Sequence, residues 1–453
     1  MTSNAESVSA PIPMAEILSA LSYALDLTEG QPLGHSVRTC LLGMRLAAIL
    51  KLDEATQGQL YYALLLKDAG CSSNAARVYQ IFGADDRATK RDLKTTDMTR
   101  MGEAYEYLKR NIKPESNVIV RAVKIAEMAL RGEAEASALV QMRCDRGAQI
   151  ARKLGFPAPV SAAIHSLDEH WDGAGYPERL KGEAIPLFSR IAILCQTLEV
   201  FAALNGPARA FEVVRARSGT WFDPNLVQAA AALEKDAGLW IMLADEQIER
   251  HVLPLEPVQG KLYADAAQLD LVCEAFAEVV DAKSPFTMDH SKTVARIAGK
   301  LARQLQLPAE TEALLRRAGL LHDLGKLGVP NTVLDKPAGL TPQEREIVKT
   351  CPQFTARILD RIANFGTLSF TASSIHERLD GSGYYRGLKG EQLPLTTRIL
   401  ALADVYAAMT QDRPHRIAMD PKDAVEVIGR EVPERFCPQV FEALRQIAYA
   451  AKR

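Results

Sequence analysis

Apolar residues recur along most of this chain at helical rather than alternating spacing. From His290 the apolar positions Val294, Ile297 and Leu301 follow four, seven and eleven residues later, which places them on one face of a helix. Segments with the two-residue alternation of a half-buried strand are few and short. The pattern therefore predicts an all-α protein.

The same pattern occurs twice along the chain. Residues 63–70 return in similar form 255 residues later, and so does the His-Ser pair that begins at His35. In the later half of each copy the spacing falls to 208 residues, where the tetrapeptide at 180–183 (LKGE) returns unchanged. Matches at fixed spacing in several separate blocks indicate an internal duplication.

The difference between the two spacings means that the first copy carries 47 additional residues. They form an insertion at about 72–142 whose charged, periodic pattern predicts helices. The chain is thus predicted to contain two tandem helical domains, at 1–250 and 251–453. The seam between them is expected within 247–262, where two prolines and a glycine interrupt the pattern.

Composition narrows the function classes. Lysine and arginine number 54 against 56 acidic residues, so the net charge of -2 gives no electrostatic reason to expect binding to bulk nucleic acid. The seven cysteines are scattered, as is typical of a reducing compartment. We find neither a basic, apolar leader nor an apolar run of about 20 residues. A cytoplasmic protein without membrane attachment is expected.

Five polar residues of the second copy stand in apolar surroundings. His322 and Asp323 are adjacent in a leucine-rich segment, Lys326 follows within one helical turn, and His290 begins an apolar stripe. Asp404 is the one charged residue between positions 399 and 411. A buried carboxylate needs a cation or several donors. Each residue alone could be a satisfied core group or a helix cap, but together they predict a site for a divalent metal, iron or manganese.

These residues lie in motifs that resemble the HD-GYP family, a branch of the HD superfamily of metal-dependent phosphohydrolases. The resemblance covers about 270–453 well and about 15–230 in eroded form, and it rests on four stretches: HDLGK at 322–326, HERLDGSGY at 376–384, RILALADVY at 398–406 and DRP at 412–414. It implies two tandem HD-type helical domains. It also implies metal-assisted hydrolysis of the bacterial second messenger cyclic dimeric GMP.

The resemblance assigns roles to individual residues. Its metal ligands would be His290, His322, Asp323, His376 and Asp404. Asp323 would bridge two metals where two are present. It would be catalytic together with Lys326, which would contact the scissile phosphate. The substrate-binding residues would be Lys326, Gly383, Tyr384 and Arg413.

Three departures from the family pattern concern the metal site and the substrate pocket. Cys351 and Ile375 replace two histidines that belong to the ligand set of an additional metal, and Tyr385 replaces the proline of the Gly-Tyr-Pro motif. Isoleucine cannot bind a metal, and a buried thiol is more commonly inert than a ligand. One metal ion rather than two is therefore expected.

The first copy has lost a different set of residues. It retains His35 and Asp68, but Lys67 replaces the histidine of the His-Asp pair and Gln196 replaces the carboxylate equivalent to Asp404. An ammonium group at a ligand position repels a metal ion. The first copy is expected to be metal-free and regulatory.

Two alternatives to a cyclic dimeric GMP phosphodiesterase stay open. The missing histidines and the degenerate first copy would also fit a catalytically inactive signalling or binding module. A single-metal site could instead hydrolyse another phosphoester. In either case the partner would be a cyclic dinucleotide or a related phosphoester, and a homodimer or a signalling-protein partner stays open.

Overall fold

The computed structural model describes residues 11–113, 116–412 and 417–450. The regular secondary structure of these residues is almost wholly helical, so the all-α prediction is confirmed. The chain divides into two compact units, which we call the N-terminal unit (Pro13–Tyr263) and the C-terminal unit (Ala264–Arg453, to which residues 11 and 12 are also assigned). Two short strands, Ile12–Pro13 and Tyr263–Ala264, lie at the division.

The division falls later in the chain than the predicted boundary at residue 250. The reason is that residues 249–263 pack on the N-terminal unit. The Tyr62 hydroxyl donates a hydrogen bond to the carboxylate of Glu256, and Val252 is fully buried. Prolines at 254 and 257 end the regular helices here but do not detach the segment from the core.

The helices of the N-terminal unit are α1 (Met14–Thr28), α2 (His35–Ile49), α3 (Glu54–Leu66), α4 (Ala75–Phe82), α5 (Asp86–Thr95), α6 (Met101–Asn111), α7 (Val118–Lys153), α8 (Ala158–His165), α9 (Leu187–Asn205), α10 (Pro207–Ala216), α11 (Pro224–Glu234), α12 (Ala237–Leu243) and α13 (Glu249–Val252). Three single turns of 3-10 helix accompany them, at Gly182–Ala184, Leu253–Leu255 and Val258–Gly260. The predicted helical insertion corresponds to α4, α5, α6 and most of α7.

The helices of the C-terminal unit are α14 (Ala266–Asp281), α15 (His290–Gln304), α16 (Ala309–Leu321), α17 (Asn331–Leu334), α18 (Pro342–Lys349), α19 (Cys351–Leu359), α20 (Gly366–Ser373), α21 (Leu395–Met409), α22 (Pro421–Gly429) and α23 (Pro438–Ala450). Two 3-10 segments lie at Leu324–Gly328 and Gly390–Gln392. The first of these directly follows the His-Asp pair that ends α16.

Helix α9 is the centre of the N-terminal unit. Its length and mean hydropathy would allow it to cross a membrane, but 67% of its most apolar window is buried inside the unit. It packs against α2 and α10, with Ile191 and Leu198 fully buried. Burial on most of its surface accounts for its apolar composition, as in other core helices.

Each unit has a turn after its Asp-containing motif at which two backbones touch. A Cβ atom at Gly70 would lie 1.9 Å from the carbonyl oxygen of Arg143, and one at Gly325 would lie 2.0 Å from that of Cys351. These glycines let a neighbouring helix, α7 or α19, pass directly over the turn. The site residues of each copy therefore sit beneath a helix that could not approach a larger residue.

We expect Gly70→Ala to destabilise the N-terminal unit by about 1–3 kcal/mol, because α7 must move away from the turn. The three tryptophans of the chain, Trp171, Trp221 and Trp240, lie in this unit, so tryptophan fluorescence during thermal unfolding reports on it alone. Gly102→Ala is the control, since nothing lies within 4 Å of its added methyl group. Equal unfolding temperatures for both variants would contradict the packing argument.

Candidate active site

Two histidines and a carboxylate from three different helices meet in the core of the C-terminal unit. His290 is the first residue of α15, His322 follows the end of α16, and Asp404 lies within α21. Nε2 of His290 lies 3.1 Å and Nε2 of His322 lies 3.8 Å from Oδ1 of Asp404. All three residues are buried. The structure thus brings together three residues of which the first and the last are 114 positions apart in the sequence.

The His-Asp turn adds a second carboxylate and a lysine to this cluster. Asp323 Oδ2 lies 3.1 Å from Nε2 of His322 and accepts a hydrogen bond of 2.6 Å from Nζ of Lys326. The turn is held from behind, because Thr355 on α19 donates to the carbonyl of His322 and accepts from the amide of Gly325. The side chains of the turn are therefore fixed by backbone contacts on their far side.

His376 approaches Asp404 from the opposite side. Its Nδ1 lies 3.8 Å from Asp404 Oδ2, and its ring is stacked on that of Tyr384 with ring centres 4.9 Å apart. The loop between these residues is tight, since a Cβ at Gly383 would lie 2.4 Å from the Cα of Glu377. Gly383 and Tyr384 therefore fix the orientation of His376.

The carboxylate of Glu377 organises the rest of this loop. It accepts hydrogen bonds from the backbone amides of Arg386 and Leu388, at 2.7 and 3.0 Å. In the N-terminal unit Glu169 accepts from the amides of Glu178 and Leu180 at the same distances. The glycine-rich loop is thus the feature that both copies retain, independently of the chemistry beside it.

Asp281 is a residue of the site region that the sequence analysis missed. Its carboxylate accepts hydrogen bonds from the amide and the hydroxyl of Ser291, directly after His290. Burial raises the pKa of Asp281 to about 7. Asp26 makes the same contacts with Ser36 in the N-terminal unit. The signal was present in the sequence, because both aspartates precede their His-Ser pair by nine residues.

The carboxylates and imidazoles of the site shift one another's pKa values. Burial alone would raise the pKa of Asp323, but His322 and then Lys326 outweigh burial and hold it well below its ordinary value. Burial also opposes ionisation of Asp404, yet the hydrogen bond with His290 and the charge of His322 lower its pKa. Both carboxylates are therefore ionised at neutral pH.

The pKa values of the three histidines of the site shift in different directions. Burial lowers the pKa of His290, and it lowers that of His376 to about 4. For His322 burial is outweighed by the charges of Asp323 and Asp404, so its pKa is raised above the ordinary 6.5. His322 is thus the imidazole of this cluster whose charged form the neighbouring carboxylates favour.

The donor set fits a divalent metal. His290, His322 and Asp323 each offer a ligand atom within 4.8 Å of the other two. Nδ1 of His322 is oriented by the carbonyl of Gly319 at 2.8 Å, whereas its buried Nε2 faces Oδ2 of Asp323 at 3.1 Å without hydrogen-bond geometry. An imidazole held by one nitrogen, with the other nitrogen facing carboxylates, is typical of metal ligands. Asp404 and His376 border the same space and complete the candidate ligand set.

Three further positions discussed from the sequence are Cys351, Ile375 and Arg413. Cys351 is buried in an apolar cluster with Val329 and Val333, and Ile375 is also buried. These surroundings favour a packing role for both side chains. Arg413, predicted to bind substrate, lies outside the described residues, so its role stays a prediction.

The corresponding place in the N-terminal unit holds a lysine. The ammonium group of Lys67 lies 3.0 Å from Nε2 of His35 and donates a hydrogen bond to Asp68. Gln196, at the position equivalent to Asp404, leaves its buried Oε1 without a hydrogen bond. One helical turn later Glu199 contacts Nδ1 of His35 and accepts a 2.6 Å bond from Arg38. Sequence comparison between the copies could not have found Glu199, because Ala407 is its equivalent.

Comparisons with known proteins identify the family of this chain. A family model described as HD domain matches residues 123–226 and 274–440. A 3'3'-cGAMP-specific phosphodiesterase 3 of Vibrio cholerae is 42% identical over 434 residues, which cover 96% of this chain and 94% of that protein. The chain belongs to the HD-domain family. Its membership and its nature as an HD-type phosphodiesterase, both expected from the motifs, are thereby confirmed.

Other relatives differ in how much of the chain they cover. A 3'3'-cGAMP-specific phosphodiesterase 1 of V. cholerae is 36% identical and covers 67% of this HD-domain protein and 73% of its own length. A cyclic di-GMP phosphodiesterase of Pseudomonas aeruginosa is 40% identical over 35% of the chain and 38% of its own length. The crystal structure of a cyclic GMP-AMP specific phosphodiesterase of V. cholerae aligns with a TM-score of 0.69 at 37% identity, covering 97% and 98% of the two chains.

The pKa pattern predicts how metal affinity depends on pH. A metal must displace the proton of His322, whereas His290 and His376 are already neutral. As pH falls below the raised pKa of His322, the apparent affinity for Mn²⁺ should fall about tenfold per pH unit, a loss of one proton per ion. Competition with a fluorescent chelator between about pH 5 and 7 measures the slope. A slope of two or more, or no dependence on pH, would contradict this assignment.

Proposed function

We propose that this HD-domain protein hydrolyses 3'3'-cGAMP in a reaction that depends on a divalent metal held by the His290–Asp404 cluster. The observation that supports this substrate is the share of the chain that its relatives match. A 3'3'-cGAMP-specific phosphodiesterase matches almost the entire chain, including the degenerate N-terminal copy. The cyclic di-GMP phosphodiesterases among the relatives cover between 31% and 38% of it.

The motifs alone favoured cyclic dimeric GMP as substrate, and the comparisons favour 3'3'-cGAMP instead. The two molecules share the phosphodiester ring and differ in one base. The cluster of His290, His322, Asp323 and Asp404 contacts neither base in this proposal, because its ligand atoms converge on a metal and a phosphate. Discrimination between the two substrates therefore depends on residues outside the cluster.

The chain's own residues have three tasks in this reaction. His290, His322, Asp323 and Asp404 would hold the metal, with His376 at the border of the site. A bound divalent ion supplies Lewis-acid polarisation of the phosphoryl group and activation of water. Lys326, whose ammonium group is partly exposed next to Asp323, would neutralise a non-bridging phosphate oxygen. Hydrolysis breaks one phosphodiester bond and opens the ring to a linear dinucleotide with a terminal phosphate.

The number of metal ions stays a prediction. Replacement of the family's histidines by Cys351 and Ile375 favours a single ion, and the apolar surroundings of Cys351 support that view. Iron and manganese both suit a mixed set of imidazole and carboxylate ligands. The chemistry of Asp323 and Lys326 is the same for either ion.

Asp323→Asn tests the assignment of the site. The amide keeps the shape but removes the charge that His322 and Lys326 face, so both metal retention and hydrolysis of 3'3'-cGAMP should fall at least about a hundredfold. Metal content by mass spectrometry and product formation by chromatography measure the two effects. Asp270→Asn is the control, because this partly exposed carboxylate of the same unit pairs with Arg317 away from the site.

The substrate assignment is tested by the ratio of kcat/KM for 3'3'-cGAMP to that for cyclic dimeric GMP, with Mn²⁺ or Fe²⁺ supplied. We expect the ratio to exceed about ten, equivalent to about 1.4 kcal/mol of transition-state discrimination. A ratio below one would return the substrate to cyclic dimeric GMP. Tight nucleotide binding without turnover, unchanged in Asp323→Asn, would instead support an inactive binding module.

A further inference from the structure

The insertion helix α5 reaches the degenerate site of the N-terminal unit. Lys90 and Lys94 lie one turn apart on this helix, and both point into the region of Asp68. Nζ of Lys94 lies 3.2 Å from Glu29 and 3.7 Å from Asp68. Nζ of Lys90 lies 3.6 Å from Glu29 and donates a hydrogen bond to the carbonyl of Cys71.

From this geometry we infer that α5 fills the pocket of the N-terminal unit that corresponds to the candidate active site. The ammonium groups of Lys94 and Lys67 take the place of metal ions there. Asp68 lies between the two groups, with Oδ2 on Lys67 and Oδ1 towards Lys94. One ammonium contacts the retained histidine, His35, and the other contacts Glu29. Protein cations thus surround the carboxylate that is equivalent to Asp323.

The donor set shows why these cations are needed. Glu29, Asp68 and Cys71 offer ligand atoms within 4.8 Å of one another and are all buried, so by atom type alone this would be a second candidate metal site. Burial would raise the pKa of Glu29, but Lys94 and then Lys90 outweigh burial and lower it to about 2. An ionised carboxylate at this depth requires a partner charge, and α5 provides it.

The other carboxylates of the pocket are also paired with protein cations. Asp168, which stands where the C-terminal unit has His376, forms an ion pair with Arg143 of α7. Glu199 is bound by Arg38 and contacts His35. Charge on each side of the pocket is thus matched within the chain. A divalent cation would therefore find these carboxylates already paired with protein cations.

This arrangement assigns a role to the insertion. The C-terminal unit carries buried carboxylates that an exchangeable ion would satisfy, whereas the N-terminal unit carries its cations on covalently attached side chains. The fold of the N-terminal unit should therefore be independent of metal supply. In a tandem protein this keeps one copy folded in conditions under which the other would lose its metal.

The test is thermal unfolding of the full chain followed by tryptophan fluorescence, which reports on the N-terminal unit because Trp171, Trp221 and Trp240 all lie within it. In the wild type, neither a chelator nor added Mn²⁺ should shift this transition. Lys94→Met should lower it by at least about 5 °C, because Glu29 and Asp68 lose a shared partner. Lys109→Met, which removes an exposed lysine of α6 paired with Glu106, should leave it within about 1 °C.

Lys94→Arg separates charge from packing and keeps the test decisive where Lys94→Met does not fold. It retains the cation, so it should recover most of the stability that Lys94→Met loses. Three results would overturn the inference. They are a chelator-induced fall in the wild-type transition, equal stability of Lys94→Met and Lys109→Met, and equal destabilisation by methionine and arginine at position 94.

Discussion

Burial of carboxylates in a helical core is the constraint on which both copies of this fold depend. Asp323 and Asp404 in one unit, and Asp68 and Glu29 in the other, lie where water cannot solvate them. Each therefore requires a positive partner, and the identity of that partner separates the two copies. In the C-terminal unit His322 and Lys326 supply part of the charge. In the N-terminal unit Lys67, Lys90 and Lys94 supply most of it.

The replacement of the His-Asp histidine by Lys67 explains how one duplicate can lose catalysis without losing its fold. A lysine in place of the His-Asp histidine does not merely delete a ligand, since Lys67 reaches His35 and Asp68 and satisfies both. The glycine-rich loop is retained because Glu169 still organises it through backbone amides. The elements that both copies share therefore keep their arrangement around Lys67, and the insertion that carries α5 is added to them. For this reason the corresponding elements of the two copies can be recognised in spite of their different chemistry.

Much of this site could be predicted from sequence because its signals are local. Asp404 is conspicuous as the one charged residue in the apolar stretch between positions 399 and 411, and the His-Asp pair and the turn at Gly383 lie in short motifs. The duplication also predicted which residues of the two copies correspond. Local patterns could not show which distant residues compensate the charge of the buried groups. Glu199 lies one helical turn beyond the position equivalent to Asp404, and Lys94 comes from an insertion that has no counterpart in the other copy.

Asp281 illustrates a different limit of prediction from the sequence. Its equivalence to Asp26 could be read from the repeat, but its function could not, because an aspartate at the end of a helix is an ordinary feature of helical proteins. The structure shows that it holds the backbone of Ser291 and so fixes the start of α15, where His290 begins. Asp26 does the same for the start of α2 beside His35. A carboxylate that positions the histidine's helix is thus required whether that histidine faces a metal or an ammonium group. The constraint that both copies retained is the placement of the histidine, and the cation that it faces was free to change.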